Sequence, residues 1–287
     1  MKKVLYVLAL AAAVMAVSCK GDKDQKKDTT GGVDVAKENL VAYLPLNSAT
    51  DVITLGKGMK SNGVYGKGEF NQNGFRGGCY NNSSASHDDQ AGLKITIPDT
   101  FLPSLKSYSI SAWYNTPTER GAIYSFAGGK DANWGAFDLF QDGADENGTL
   151  LKGYMCNMDS EWFGFFPDYR GPEIAKNKWI HTVMTYDEAE SRLRLYVNKE
   201  IRWDGICYAA SKPENAEQPL IGDLVLDKST VMYIGAFASR ETGASNETWL
   251  SYLAGKVDEI RIWNKALSEE EVSALYTAEL TVSTFDD

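Results

Sequence analysis

The chain has 287 residues, 39 acidic against 29 basic side chains and a formal net charge of −10, with 43% hydrophobic residues. An acidic chain without clustered Lys and Arg lacks the means to hold phosphates, which excludes nucleic acid as a partner. The four cysteines follow no spacing known for zinc sites, so a structural zinc is excluded as well.

At the N-terminus Lys2 and Lys3 form a basic head, residues 4–17 are nearly all apolar, and Ala16-Val17-Ser18 leads to Cys19. The apolar run falls short of the ~20 residues that a permanent membrane helix needs, so it reads as an export signal. Its end resembles a bacterial lipobox. That resemblance implies cleavage before Cys19, acylation of its thiol, and an exported lipoprotein of the bacterial cell envelope, at the outer membrane, that touches the membrane through its lipid anchor only. Residues 1–18 are therefore expected to be the signal peptide and 19–37 the lipidated Cys19 with a flexible tether. The tether alternates Lys with Asp and has almost nothing to bury. With Cys19 acylated, Cys79, Cys156 and Cys207 allow at most one disulfide and leave one thiol over.

Residues 38–279 form the expected folded region, with 280–287 as a tail. Short alternating or β-branched runs separated by Gly, Asn, Asp and Pro predict strands at 40–46, 108–114, 122–126, 136–141, 179–186, 192–197, 232–237 and 256–263. One helix is predicted near the end. Ser268 and Glu271 form a capping box, Leu267 and Val272 a staple, and Val272, Leu275 and Tyr276 an apolar stripe. Many strands and one helix predict an all-β fold, an antiparallel β-sandwich with a short C-terminal helix.

Five segments also resemble, in order, the strands of laminin-G-like, concanavalin A-like lectin domains. They are Leu40-Val41-Ala42-Tyr43-Leu44-Pro45-Leu46-Asn47, Tyr108-Ser109-Ile110-Ser111-Ala112-Trp113, Trp179-Ile180-His181-Thr182-Val183-Met184-Thr185-Tyr186-Asp187, Leu193-Arg194-Leu195-Tyr196-Val197-Asn198, and the stretch from Gly255 to Trp263 followed by Ala266-Leu267-Ser268-Glu269-Glu270-Glu271. The resemblance implies a concanavalin A-like jelly-roll β-sandwich. The sequence departs from the pattern at Asn198-Lys199, where the family has Asn-Gly, so Lys199 must accept positive φ or the turn is of another type.

Asp258 is the carboxylate that stands out. Strict alternation puts it on the face of Ile260 and Ile262, where a charge needs a cation or several hydrogen bonds. The resemblance implies one structural calcium held by Asp258 and Asp51, with Asp258 holding loop amides or an arginine, without metal, as the alternative. A second resource is aromatic. Trp162, Phe165, Tyr169 and Arg170 lie in a segment of rings, turn formers and charges, and Trp134, Trp203 and Trp249 lie in other predicted loops. Such rings can stack on sugars while neighbouring polar groups bond hydroxyls, although each ring alone could equally pack into the core.

No catalytic motif is present. There is no Glu-x-Asp of the laminarinase type, no His-Glu-x-x-His and no Gly-x-Ser-x-Gly. His181 is expected to be structural, and His87 to sit in a polar loop. Three readings follow: a non-catalytic carbohydrate-binding lectin-like domain of a cell-envelope lipoprotein, a protein-interaction or adhesion subunit with an envelope protein as partner, and an atypical glycoside hydrolase.

Overall fold

A computed structural model describes residues 30–161, 164–210 and 217–284. In chain order the strands are β1 (Leu40–Leu44), β2 (Leu55–Gly56), β3 (Lys60–Gly66), β4 (Gly68–Asn71), β5 (Cys79–Asn82), β6 (Ala91–Thr96), β7 (Tyr108–Asn115) and β8 (Arg120–Phe126). They continue as β9 (Phe137–Asp145), β10 (Gly148–Met155), β11 (Asp168–Gly171), β12 (Ile180–Asp187), β13 (Arg192–Val197), β14 (Glu200–Ile206), β15 (Val231–Ile234) and β16 (Lys256–Trp263). Two helices follow the later strands, α1 (Ala238–Glu241) and α2 (Glu269–Val282).

The strands form two antiparallel sheets. The first runs β14-β13-β12-β7-β16-β1-β2, with β5 and β4 attached to β16; the second runs β11-β10-β9-β8-β15-β6-β3. Their facing sides meet in one core, in which Ile110, Tyr114, Met184, Leu195 and Ile262 of the first sheet join Leu93, Ile123, Leu139, Leu151 and Ile234 of the second. The predicted antiparallel sandwich is thus the observed fold. Every predicted strand is present, and eight further strands, β2–β6, β10, β11 and β14, lie outside the predicted runs; β3 and β4 are half-exposed and glycine-interrupted, with too little alternation to be read.

The outer side of the first sheet is covered twice. Helix α2 lays Val272 and Leu275 against Tyr43, Val183, Tyr196 and Trp263, and its capping box forms as predicted between Ser268 and Glu271. Full burial of two such side chains contributes on the order of 3–5 kcal/mol. The second cover comes from within the expected tether. Residues 30–36 pack on the same face: Val33 is buried, the Trp263 indole donates to the Val35 carbonyl at 3.1 Å, and Arg261 reaches the Thr30 carbonyl. The tail also belongs to the fold through Thr284, whose amide donates to the Phe75 carbonyl at 3.0 Å. Cys19 lies outside the described residues.

Two local features show how the chain departs from simple patterns. Asn198 and Lys199 both take positive φ, 47° and 69°, so the β13–β14 turn keeps the primed hairpin geometry without glycine, at about 1 kcal/mol for the lysine. In β16 the pairing with β7 slips between Asp258, opposite Trp113, and Arg261, opposite Ser111. Glu259 sits in the slip at φ 51°, a bulge that resets the alternation. Val257 therefore joins Ile260 and Ile262 in the core, and Asp258 faces outward with Trp113, contrary to the alternation expected from sequence. Cys79, Cys156 and Cys207 are all free and buried, so the disulfide allowed by the count is absent among them.

Candidate functional site

The expected calcium ligands are already occupied by protein hydrogen-bond donors. Asp258 accepts the Arg76 amide at 3.0 Å and the Glu259 amide at 2.9 Å, and the Phe75 amide also bonds it. Burial and then the neighbouring Glu259 push the Asp258 carboxyl well above the usual carboxylate range, and the three amides oppose that shift. Asp51 is tied to the Asn47 side-chain amide at 3.0 Å and the Thr54 hydroxyl at 3.4 Å. Among the described residues no three His, Cys, Asp or Glu side chains gather. Amide N–H groups stand where calcium needs oxygen donors, so these residues do not fit the ion.

Beside Asp258 lies a buried ionic cluster on the covered face. Glu279 of α2 accepts from the Trp113 indole at 2.8 Å and from Arg261. Arg261 also bonds Glu259 at 2.8 Å, and the Tyr43 hydroxyl donates to Glu259 at 2.8 Å. His181 is fully buried, with Nε2 3.2 Å from Glu279. Helix α2 seals the cluster from solvent, and its contacts dock that helix on the sheet. His87, by contrast, contacts Asp88 in a polar loop.

On the opposite side of the sandwich the aromatics assemble. In β9 the alternation Asp138, Phe140, Asp142 faces away from the core. Register places Tyr154 opposite Asp138 and Lys152 opposite Phe140. Trp134, from the loop before β9, lies nearly parallel to Phe140 and Tyr154, at 5.3 and 5.5 Å with interplanar angles of 28° and 23°. Phe166 stands edge-on to it at 5.2 Å. Trp249, from the loop between α1 and β16, meets it at 5.1 Å and 47°. Phe237 and Leu250 close the cluster underneath. Trp249 is 37% exposed, and Trp134 is partly exposed.

Polar groups line up next to these rings. The Lys152 ammonium lies 6.0 Å above the Phe140 ring and 2.9 Å from Asp142, and Arg120 approaches Asp142 from β8 at 3.9 Å. All three side chains are partly open to solvent. A recess of about 260 Å³ lies beside Trp134, between residues 127–135 and the α1 end, and includes Lys130, Asp131 and Thr242 in its wall. The face thus offers an exposed ring next to paired charges, suited to a ligand with both an apolar surface and hydroxyl or amide groups.

Asp138 fixes this arrangement from below. Its fully buried carboxylate accepts the Gly135 amide at 2.8 Å, next to Trp134. It also accepts the Ser125 hydroxyl, which in turn accepts the Ala238 amide at 2.7 Å, next to Phe237. Gly135 has no room for a side chain: a Cβ there would come within 2.1 Å of the Phe126 carbonyl oxygen. One carboxylate and one hydroxyl therefore hold both loops of the site. Burial pushes the Asp138 carboxyl up to about 7, against the Ser125 and Gly135 hydrogen bonds.

Of the aromatic residues expected from sequence, only Trp134 and Trp249 come together among the described residues. Phe165 bridges to Met155 and packs against the core. Tyr169 lies on the inner side of β11, where its hydroxyl donates to Glu173 and Arg202 covers its ring. Trp203 sits on β14, in the other sheet. Arg170 faces outward but is held by the Gly148 carbonyl at 2.7 Å and by Asp145 at 3.2 Å. Trp162 lies outside the described residues. Phe140, Tyr154, Phe166, Phe237, Lys152, Asp142 and Arg120 were not foreseen, although an aromatic between two aspartates on one face of a predicted strand was a signal for three of the site's neighbours.

A family model described as the concanavalin A-like lectin/glucanases superfamily, of the laminin G type, matches residues 89–235, just over half of the chain. No curated protein matches the sequence. Among solved structures, the receptor-binding domain of the botulinum neurotoxin C/D mosaic serotype is similar at 16% identity and a TM-score of 0.52, over 84% of this chain and 51% of that one. The binding domain of botulinum neurotoxin DC in complex with rat synaptotagmin II gives 14% identity and 0.53, over 84% and 52%. The same domain in complex with SialylT gives 12% and 0.51, again over 84% and 52%. At these identities the likeness is one of fold, and the chain spans about half the length of these three structures.

Proposed function

The chain belongs to the concanavalin A-like lectin/glucanases superfamily, and from that premise we propose that it is a non-catalytic carbohydrate-binding domain of an exported cell-envelope lipoprotein. The observation that carries the reading is the Trp134–Trp249 pair on the outer side of the second sheet, with Lys152, Asp142 and Arg120 alongside. Ring faces take up the apolar side of a sugar, and paired cations and carboxylates exchange hydrogen bonds with its hydroxyls. Residues 30–36 and α2 cover the outer face of the first sheet, on the opposite side of the sandwich from this site.

A glycan array followed by titration calorimetry on the mature protein tests the reading. Trp134→Ala and Trp249→Ala are each expected to lower affinity for the bound glycan by about tenfold or more. A well-folded protein that binds no glycan class sinks the proposal. Mass spectrometry of the mature N-terminus is expected to find acylated Cys19; an unmodified cysteine there removes the anchor.

A second reading, an adhesion or protein-interaction subunit, is favoured by Ile206, Tyr208 and Leu220. These are 44%, 37% and 51% exposed around the β14 edge. Crosslinking in membranes that recovers only the lone chain argues against this reading.

A further inference from the structure

We propose that the site recognises one or two sugar units of a soluble glycan and does not take the flat face of a crystalline polysaccharide, an inference that rests on the carbohydrate-binding reading above. The argument is geometric. A sugar ring stacks on an aromatic face only when the two planes are parallel and the aromatic face is open. A flat array of sugar chains therefore needs several open rings in one plane.

The rings of this site do not share a plane. Trp249 is inclined by 47° to Trp134 although their centres are only 5.1 Å apart. Phe166 stands at 78° to Trp134, and Phe237 at 75° to Trp249. The rings that do run parallel to Trp134, those of Phe140 and Tyr154, are buried. Trp249 is the most exposed ring of the cluster among the described residues; Trp134 and Phe166 are partly covered. A single sugar unit can lie on Trp249, and the next unit of a straight chain leaves the aromatic surface.

Two other observations point the same way. The recess beside Trp134, at about 260 Å³, lies below the roughly 300–1,000 Å³ typical of drug-sized ligand pockets. The charges are also close-set: Lys152 and Arg120 converge on one carboxylate, Asp142, instead of marking a track along a chain. Among the described residues the other candidate aromatics do not extend the surface, because Phe165 and Tyr169 lie on inner sides and Trp203 belongs to the other sheet.

The experiment uses the full mature chain with malto-, cello-, xylo- and arabino-oligosaccharides from disaccharide to hexasaccharide, read by calorimetry. Pull-down on microcrystalline cellulose and crystalline chitin accompanies it. Binding is expected in at least one series, with less than about a threefold gain in affinity from trisaccharide to hexasaccharide, and with no retention on either solid. Trp249→Ala is expected to remove most of the affinity while the protein still unfolds in one cooperative transition, its midpoint lowered by the lost ring packing. Affinity that climbs by more than about tenfold from trisaccharide to hexasaccharide, or retention on a crystalline solid, overturns the inference and leaves the carbohydrate reading standing. Silence in every series, together with a blank glycan array, overturns both.

Discussion

Replacing Ser125 with alanine removes the hydroxyl that links the two loops of the aromatic site, and its effect should depend on pH. Two buried groups lose their partner: the Ala238 amide and one oxygen of Asp138. Each costs ~1–3 kcal/mol, so about 2–6 kcal/mol of stability should be lost at pH 8. The carboxylate share of that loss exists only while Asp138 is ionised. In the native protein its carboxyl titrates at about 7 against an ordinary 3.8. The folded state thus holds a proton that the unfolded state has released. This group's contribution is complete below about pH 4 and is lost as pH rises to about 7, at up to ~1.4 kcal/mol per pH unit. The Ser125 hydrogen bond favours the ionised form, so deleting it raises that value further and extends the loss above pH 7. Destabilisation by Ser125→Ala should therefore be larger at pH 8 than at pH 5, by about 1–3 kcal/mol, leaving only the Ala238 share at the lower pH. Urea unfolding followed by tryptophan fluorescence at the two pH values measures it. Equal destabilisation at both would refute the ionised Asp138–Ser125 link, and none at either would refute the clamp.

Two further outcomes follow from the covered face. Burial pushes Glu279 up, but Arg261, His181 and Trp113 outweigh it and hold the carboxyl below its usual 4.5; its stabilisation is present above that value and fades as pH falls through the lowered one. Glu279→Ala should cost about 3–5 kcal/mol at neutral pH, because Arg261 loses one of its buried partners, with Glu279→Gln milder. Chemical denaturation at pH 7 checks both, and an effect under about 1 kcal/mol for the alanine variant refutes the cluster's role in docking α2. Because amides occupy Asp258, a chelator should leave the thermal midpoint unchanged; a midpoint that rises when calcium is restored would show that the loop amides give way to the ion.

Much of the fold is legible in local sequence because period and capping are local properties. Leu193, Leu195 and Val197 alternate into the core along β13, and Ser268 with Glu271 starts α2 where the capping pattern says. The face of Asp258 could not be read this way. The bulge at Glu259 depends on pairing with β7 and on the Tyr43 and Arg261 contacts that hold a non-glycine residue at positive φ. The site behaves likewise. Sequence supplied Trp134 and Trp249 as candidates without a reason to pair them, and gave Phe165, Tyr169 and Trp203 equal standing. Strand register decided between them. It set Phe140 and Tyr154 as a floor on one side of the second sheet and turned Tyr169 to the other, while Asp138 drew together two loops far apart along the chain. Composition determines that rings must be buried or stacked; only the packed sheets determine which ring stays open to a ligand.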